Sequence, residues 1–268
     1  MVMFQWSFLS EIKDIFVYRG LLKNLVLRDI KVRYKRSILG FLWVMLNPLL
    51  IMLILYTVFS KIFGSLIPNY SSYIITGIVL WNMFSQSTTT STFAFIGNSS
   101  ILKKIYIPKA ILPVSYIVSG LINFCFATVP LIIIILISGT AISVRAIMLP
   151  LCIGEILLFC IGLSLFLSTV VVFFHDIIYI YDVLLMAWMY SSPIFYPTSV
   201  LPPSILKLMI FNPMYHYLGA YRGLLYDTSI AMSDIQMFLV YGLGFAMISF
   251  IAGAIVYTSN KNNVIFFL

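Results

Sequence analysis

Six stretches of the chain stay apolar for long enough to cross a bilayer, and the polar residues between them fall into short, uneven pieces. The runs place predicted spans at Leu42–Phe63, Tyr73–Ile96, Val114–Ile137, Ile147–Phe174, Ile177–Ile194 and Ile235–Tyr257, each near the ~20 residues a helix needs to cross the hydrocarbon layer. Ahead of them Leu22, Val26, Ile30 and Tyr34 recur at i, i+4, with Lys23, Lys31 and Lys35 on a neighbouring face. That spacing predicts an amphipathic helix along an interface, a depth that also suits Trp6 and Tyr18. A helix packed on another protein domain would carry the same pattern. After the fifth run, Pro193, Pro197, Pro202, Pro203 and Pro213 break the apolar sequence. Ile205–Phe211 and Tyr215–Tyr226 are then too short to cross and too apolar for water, which predicts re-entrant helices. The expected fold is all-α integral membrane: an N-terminal amphipathic interface helix in a cytoplasmic region 1–36, then a domain over 37–268. That domain holds six transmembrane helices, with two short re-entrant outer helices within 195–230 between spans five and six.

Composition narrows the class. Of the 268 residues 62% are hydrophobic and 9% charged, against roughly 25% charged in soluble domains. The net charge of +8 sits beside apolar runs and forms no broad soluble basic face, so nucleic acid is not the expected partner. Cys125, Cys152 and Cys160 all lie inside apolar runs and read as packing residues, with no metal spacing or disulfide framework. The first apolar span begins too late for a cleaved signal peptide, so the N-terminus is expected to stay in the cytoplasm.

The densest charge is at the entry to the first span. Arg28, Lys31, Arg33, Lys35 and Arg36 fall within nine residues, just ahead of Leu42. Such a cluster fixes topology with no ligand at all, and it also sets cations at head-group depth, where an anionic lipid or its phosphates would lie. With both termini inside, Lys13, Arg19, Lys23, Lys103, Lys104, Lys109 and Lys261 join those five; only Lys61, Arg145, Lys207 and Arg222 fall outside. Twelve of the sixteen Lys/Arg are thus inside, as the positive-inside rule requires.

Several polar features lie within or between the spans. Ser85–Thr92 is an unbroken polar run whose hydroxyls can return hydrogen bonds to the i−4 carbonyl; it reads equally as helix–helix packing or as the lining of a conduit. The segment 98–113, NSSILKKIYIPKAILP, is short, basic and proline-punctuated, with enough apolar residues to dock on a partner or form an inside loop. Glu155 lies about two turns into span four, where an ionisable group is costly unless it faces the bundle interior or water. His175-Asp176 is an adjacent pair without a nucleophile or second acid; turn-capping or a hinge is preferred over catalysis. Phe195, Tyr196, Phe211, Tyr215, Tyr217, Tyr221 and Tyr226 crowd the outer segment, either as an interfacial belt or as rings at an exit mouth that stack on sugars.

No lysine follows a glycine, so the chain lacks a G-x-x-x-x-G-K-[ST] phosphate loop and cannot hydrolyse ATP by that route. No metal constellation or acid pair for Mg²⁺–diphosphate chemistry is visible, and neither a repeated half nor several buried acids. No catalytic residue, metal or cofactor is assigned.

In order along the chain, RDIKVRYKRSILGFLW followed by NP, KKIYIPKAILP, FFHDI, SSPIFYP and LPPSILKLMIFNPMYHYLGAYRGLLY are similar to segments of one family. The sequence resembles the permease subunits of polysaccharide-export ABC transporters, the Wzm/KpsM/TagG group. The resemblance implies a homodimer bound to two copies of a cytoplasmic ABC ATPase that holds ATP-Mg. It implies a dimer-interface conduit in the bacterial inner membrane for a glycan on undecaprenyl diphosphate, O-antigen foremost, else capsule or teichoic acid. Residues 99–108 then look like a coupling helix in the ATPase groove, with Lys103, Lys104, Ile105, Tyr106 and Pro108 making the contact. Arg28, Lys31, Arg33, Lys35 and Arg36 are expected to attract the lipid diphosphate. Trp43, Trp81, Phe84, Trp188, Tyr190 and Phe195 are expected to line the channel, and Phe211, Tyr215, Tyr217 and Tyr221 the outer gate. The rival expectations are a permease for a drug or haem, and an integral enzyme acting on polyprenyl lipids that needs His175 and Asp176.

Overall fold

The computed structural model describes residues 13–35, 37–105 and 107–268; Arg36, Tyr106 and residues 1–12, with Trp6, lie outside the described residues. Among the described residues every regular element is helical. Helix α1 (Arg19–Tyr34) leaves Lys23, Lys31 and Lys35 exposed; of the expected row Val26 is buried and Leu22, Ile30 and Tyr34 are half-buried, while Leu25, outside the row, is buried as well. Helix α2 (Trp43–Phe63) buries only Val44, Pro48 and Met52. These lie four residues apart, so α2 touches the bundle along one stripe and is apolar on the others.

In helix α3 (Tyr70–Thr92) both the apolar half and the Ser/Thr half are largely buried. Several of its hydroxyls are satisfied locally, although the buried Ser72 and Ser87 Oγ have no partner among the described residues. Thr88 donates to the Phe84 carbonyl at 2.8 Å, Thr90 to Gln86 at 2.7 Å and Thr92 to Thr89 at 2.7 Å. Tyr181 adds a bond to Thr88 Oγ1 at 2.6 Å. Thr88, Thr90 and Thr92 therefore need no water, whereas Ser87 of the same run is buried without a partner among the described residues.

Helix α4 (Ser99–Leu102) is a single turn, α5 (Ile111–Ile137) follows it, and α6 (Leu149–Phe173) leads across the Phe174–Asp176 turn into α7 (Ile177–Ser191). Short α8 (Pro203–Met209) and α9 (Pro213–Leu225) precede α10 (Met232–Asn260) and the terminal turn α11 (Val264–Phe267). Helices α6 and α10 cross at backbone contact. A Cβ on Gly253 would lie 2.0 Å from the Gly162 carbonyl oxygen, and one on Gly162 would lie 2.4 Å from the Phe250 nitrogen. Only glycine at both positions permits this crossing, the small-residue solution to helix packing in lipid. Ser249 adds a bond to the Phe159 carbonyl at 3.0 Å.

Among the described residues four helical stretches, Gly40–Phe63, Ile111–Ile137, Val144–Phe173 and Met232–Asn260, are both long and apolar enough to cross a membrane. The other two expected spans differ for separate reasons. Tyr70–Thr92 has the length, but its Ser/Thr half makes it polar. The fifth was expected over Ile177–Ile194, yet α7 is 15 residues long and the chain turns extended at Ser192, ahead of Pro193.

Candidate functional site

The two ends of the bundle are built differently. At the end holding α1, a second apolar cluster joins Leu25, Phe95, Leu102, Ile107, Ile111, Val172, Tyr257 and Val264. It anchors segment 98–113 from both sides. Arg28 Nη1 donates to Asn98 Oδ1 at 2.9 Å, and Asn98 donates to the Ala94 carbonyl at 2.8 Å. At the other side the Ala110 N–H donates to Tyr257 Oη at 3.1 Å, and Lys109 Nζ donates to the Lys261 carbonyl. Lys103, Lys104 and Ile105 remain exposed between these anchors, while Pro108 is buried. Of the helix expected over 99–108 the described residues are helical only across Ser99–Leu102; Pro108 disfavours helical backbone at Ile107.

The basic cluster does not converge on one point. Arg28 is engaged by Asn98 and by Asp29, whose carboxylate is 3.1 Å away. Burial pushes the Asp29 carboxyl above its usual range, and the Arg28 hydrogen bond partly counters this. Lys31 and Lys35 share a shallow groove with Arg28 on one side of α1, whereas Arg33 faces a different cleft with Trp43. Two residues along a helix turn ~200° around it, which separates Arg33 from its neighbours. Arg36 lies outside the described residues, as does Tyr106.

The aromatics expected in the channel divide by burial. Trp43 is 41% and Tyr190 56% exposed, whereas Phe84 is fully enclosed and Trp81 and Phe195 are nearly so. Phe84 packs edge-on to Trp188 at 5.0 Å, and Trp188 donates to Asn212 Oδ1 at 2.7 Å, tying α7 to the start of α9. Of the gate residues Phe211 is exposed and Tyr215 half-buried, while Tyr217 and Tyr221 are fully buried. Tyr217 donates to the Gly242 carbonyl at 2.9 Å. Glu155 is buried beside Gly242, and its Oε2 has no hydrogen-bond partner among the described residues. His175 and Asp176 are exposed, and the Asp176 side chain makes no cap bond to α7. Among the described residues no group of three or more His, Cys, Asp or Glu could hold a metal.

The residue that composition alone concealed is Arg222. Counted from sequence as an outside charge, it is 4% exposed. Its guanidinium donates to the carbonyls of Pro193 at 2.8 Å, Ile194 at 2.9 Å and Tyr73 at 3.0 Å. Its Cζ lies 3.5 Å from the Tyr73 ring centroid. Tyr73 also donates to the Pro193 and Tyr196 carbonyls at 3.0 and 2.8 Å, and Tyr70 to Phe195 at 2.6 Å. A proline-broken segment cannot satisfy its own carbonyls, and α3 and α9 supply the donors. The one available signal was an arginine inside the apolar run MYHYLGAYRGLLY.

A helical membrane domain with a braced, basic segment at one end, and no phosphate loop in its sequence, has the build of a transport subunit whose energy comes from another protein. The chain belongs to the ABC-2 type transporter family, whose model matches residues 20–226. It is thus the membrane permease part of an ABC system, a multi-pass protein of a family that works with a separate ATPase. It is 32% identical over 219 residues to the O-antigen export system permease protein RfbA of Klebsiella pneumoniae, covering 81% of this chain and 84% of that protein. A protein of the same name from Myxococcus xanthus is 30% identical over 230 residues, covering 85% and 88%. The capsule polysaccharide export inner-membrane protein CtrC of Neisseria meningitidis serogroup B is 23% identical over 238 residues, covering 85% and 87%.

Proposed function

We propose that this chain is the transmembrane subunit of an ATP-driven exporter that moves undecaprenyl-diphosphate-linked polysaccharide across the bacterial inner membrane. The observation that carries the reading is the match to O-antigen export permeases over more than four fifths of both chains, at 30–32% identity. The capsule export relative matches at 23%, which favours O-antigen over capsule. In this reading α2, α3, α5, α6, α7 and α10 make six crossings, and the extended residues after Ser191 complete the fifth. Both termini are cytoplasmic, α1 lies along the inner interface, and α8 and α9 are the re-entrant outer pair. Two copies enclose the conduit, and two ATPase copies dock on Lys103, Lys104 and Ile105. Arg33, Lys31 and Lys35 draw in the lipid diphosphate, and the exposed rings of Trp43 and Tyr190 meet the glycan. Flat stacking holds a sugar without fixing its register, so the chain can advance.

A strain lacking the gene tests this. Lipid-linked polysaccharide is expected to accumulate on the cytoplasmic face, with export restored by the tagged protein, which co-purifies with an ATPase. Surface polysaccharide at the parental level in the deletion strain refutes the reading.

A further inference from the structure

Helices α1, α2, α3 and α5 enclose a cleft of about 180 Å³ with Arg33 and Trp43 among its walls. Four amides also line it: Asn47, Asn82, Gln86 and Asn123. Along their helices, at 1.5 Å per residue from the basic end, these amides lie at depths of ~6, ~15, ~9 and ~18 Å. The cleft therefore runs from the interface to about mid-membrane. Among the described residues none of the four amide side chains hydrogen-bonds another part of the chain. Asn123 is 91% buried (9% exposed), and its Oδ1 has no partner. Pro48, also in the wall, withholds a donor from the Val44 carbonyl beside Asn47.

Unpaired amides this deep are unfavourable unless something polar meets them, and intramembrane polar groups facing a cavity mark substrate paths. The chemistry of the wall says what that is. Each amide offers two donors and an acceptor oxygen without net charge. Among the described residues Arg33 is the one charged residue of the lining. A phosphate only accepts, so it would use Arg33 and the amide N–H groups but leave the amide oxygens unpaired, whereas a group rich in hydroxyls can both give and take hydrogen bonds with all four. An acyl tail would leave them unsatisfied.

We propose that this cleft receives the sugar next to the diphosphate, with Arg33 holding a phosphate at the mouth and the amides exchanging hydrogen bonds with the sugar's hydroxyl and acetamido groups. The proposal rests on the export reading above and deepens it. It makes the cleft the first intramembrane station of the polar head.

The test uses the permease with its ATPase in nanodiscs, and measures binding of a short polyprenyl diphosphate and of the same lipid bearing N-acetylglucosamine. The wild-type complex is expected to prefer the sugar-bearing lipid by about tenfold or more, as two or more net hydrogen bonds imply. The pair Asn82→Leu with Asn123→Leu abolishes that preference and leaves the bare lipid bound as before. Arg33→Gln weakens both. Asn47→Leu with Gln86→Leu repeats the test at exposed positions, where folding does not depend on the amide. Leucine variants that keep the preference overturn the proposal and assign the amides to packing or to contacts between copies. So does a wild type that binds the bare lipid equally well. A wild type that binds neither lipid overturns the export reading with it.

Discussion

Arg222 is a single side chain holding a segment that has no secondary structure of its own, and its removal should open that segment without dissolving the bundle. Arg222→Met keeps most of the length and the apolar stem while removing the donors. The Ile194 carbonyl then loses the guanidinium donor it holds at 2.9 Å, whereas Pro193 retains the Tyr73 hydroxyl at 3.0 Å. An orphaned buried acceptor costs about 1–3 kcal/mol, and a desolvated cation over an aromatic ring contributes about 2 kcal/mol more. Against this stands relief from desolvating an arginine that no carboxylate hydrogen-bonds, so the net is about 2–3 kcal/mol. Each ~1.4 kcal/mol is a factor of ten, so opening of residues 192–197 should become roughly 30- to 150-fold more frequent. Hydrogen exchange on the purified protein reads this directly: those amides should speed up by that factor, while α6 and α10 stay protected. Arg222→Lys should fall between, because one ammonium cannot reach three carbonyls in a fork. Exchange in Arg222→Met within twofold of wild type would refute the reasoning, and uniform acceleration across all helices would show a global role instead.

Gly253→Leu should be far more damaging than Gly244→Leu, where a Cβ meets nothing within 4 Å; separating α6 from α10 should cost about 3 kcal/mol or more, read as loss of the monodisperse peak in detergent. Arg28→Met removes the bond to Asn98 and should lower stability by about 1–2 kcal/mol, checked by thermal unfolding, with reduced ATPase stimulation in the complex. Lys103→Glu with Lys104→Glu changes only exposed side chains, so folding should be unchanged while ATPase co-purification falls by tenfold or more, by about 1 kcal/mol per reversed charge. Arg33→Gln should reduce export several-fold and Lys35→Gln by less than twofold, since only Arg33 lines the amide cleft; equal effects in a surface-polysaccharide assay would contradict that division.

Much of the fold was legible because lipid imposes one rule on the backbone: helices satisfy themselves, and apolar runs mark where. The row Leu22, Val26, Ile30 and Tyr34 was legible in part for the same reason: period places it on the more covered side, but Leu25 beside it is buried too and only Val26 of the row is fully so. Local hydrogen bonding from Ser/Thr was also legible in Ser85–Thr92. What the pattern hid is tertiary. Nothing local distinguishes Arg222 from Lys207, yet one is enclosed by carbonyls and the other exposed. Trp81 and Phe84 read as channel rings because aromatics carry no signal of which neighbour they meet; both are buried, and the packing of Phe84 on Phe159 and Trp188 depends on how helices distant in sequence converge. The four amides of the cleft are far apart along the chain and share no motif, so only folding brings them together.

The glycine crossing of α6 and α10 has a mechanical meaning. The backbone contact falls at the middle of α6 and in the last third of α10, and it resists separate sliding of the two, so they would tilt together as a beam about 38 Å long, the 25 residues of α6 at 1.5 Å each. A tilt of about 10° at one end of such a beam displaces the other by roughly 6 Å, more than one helical turn. The far end of that beam adjoins α9 and the near end adjoins the braced loop, so a tilt imposed at one would be carried to the other.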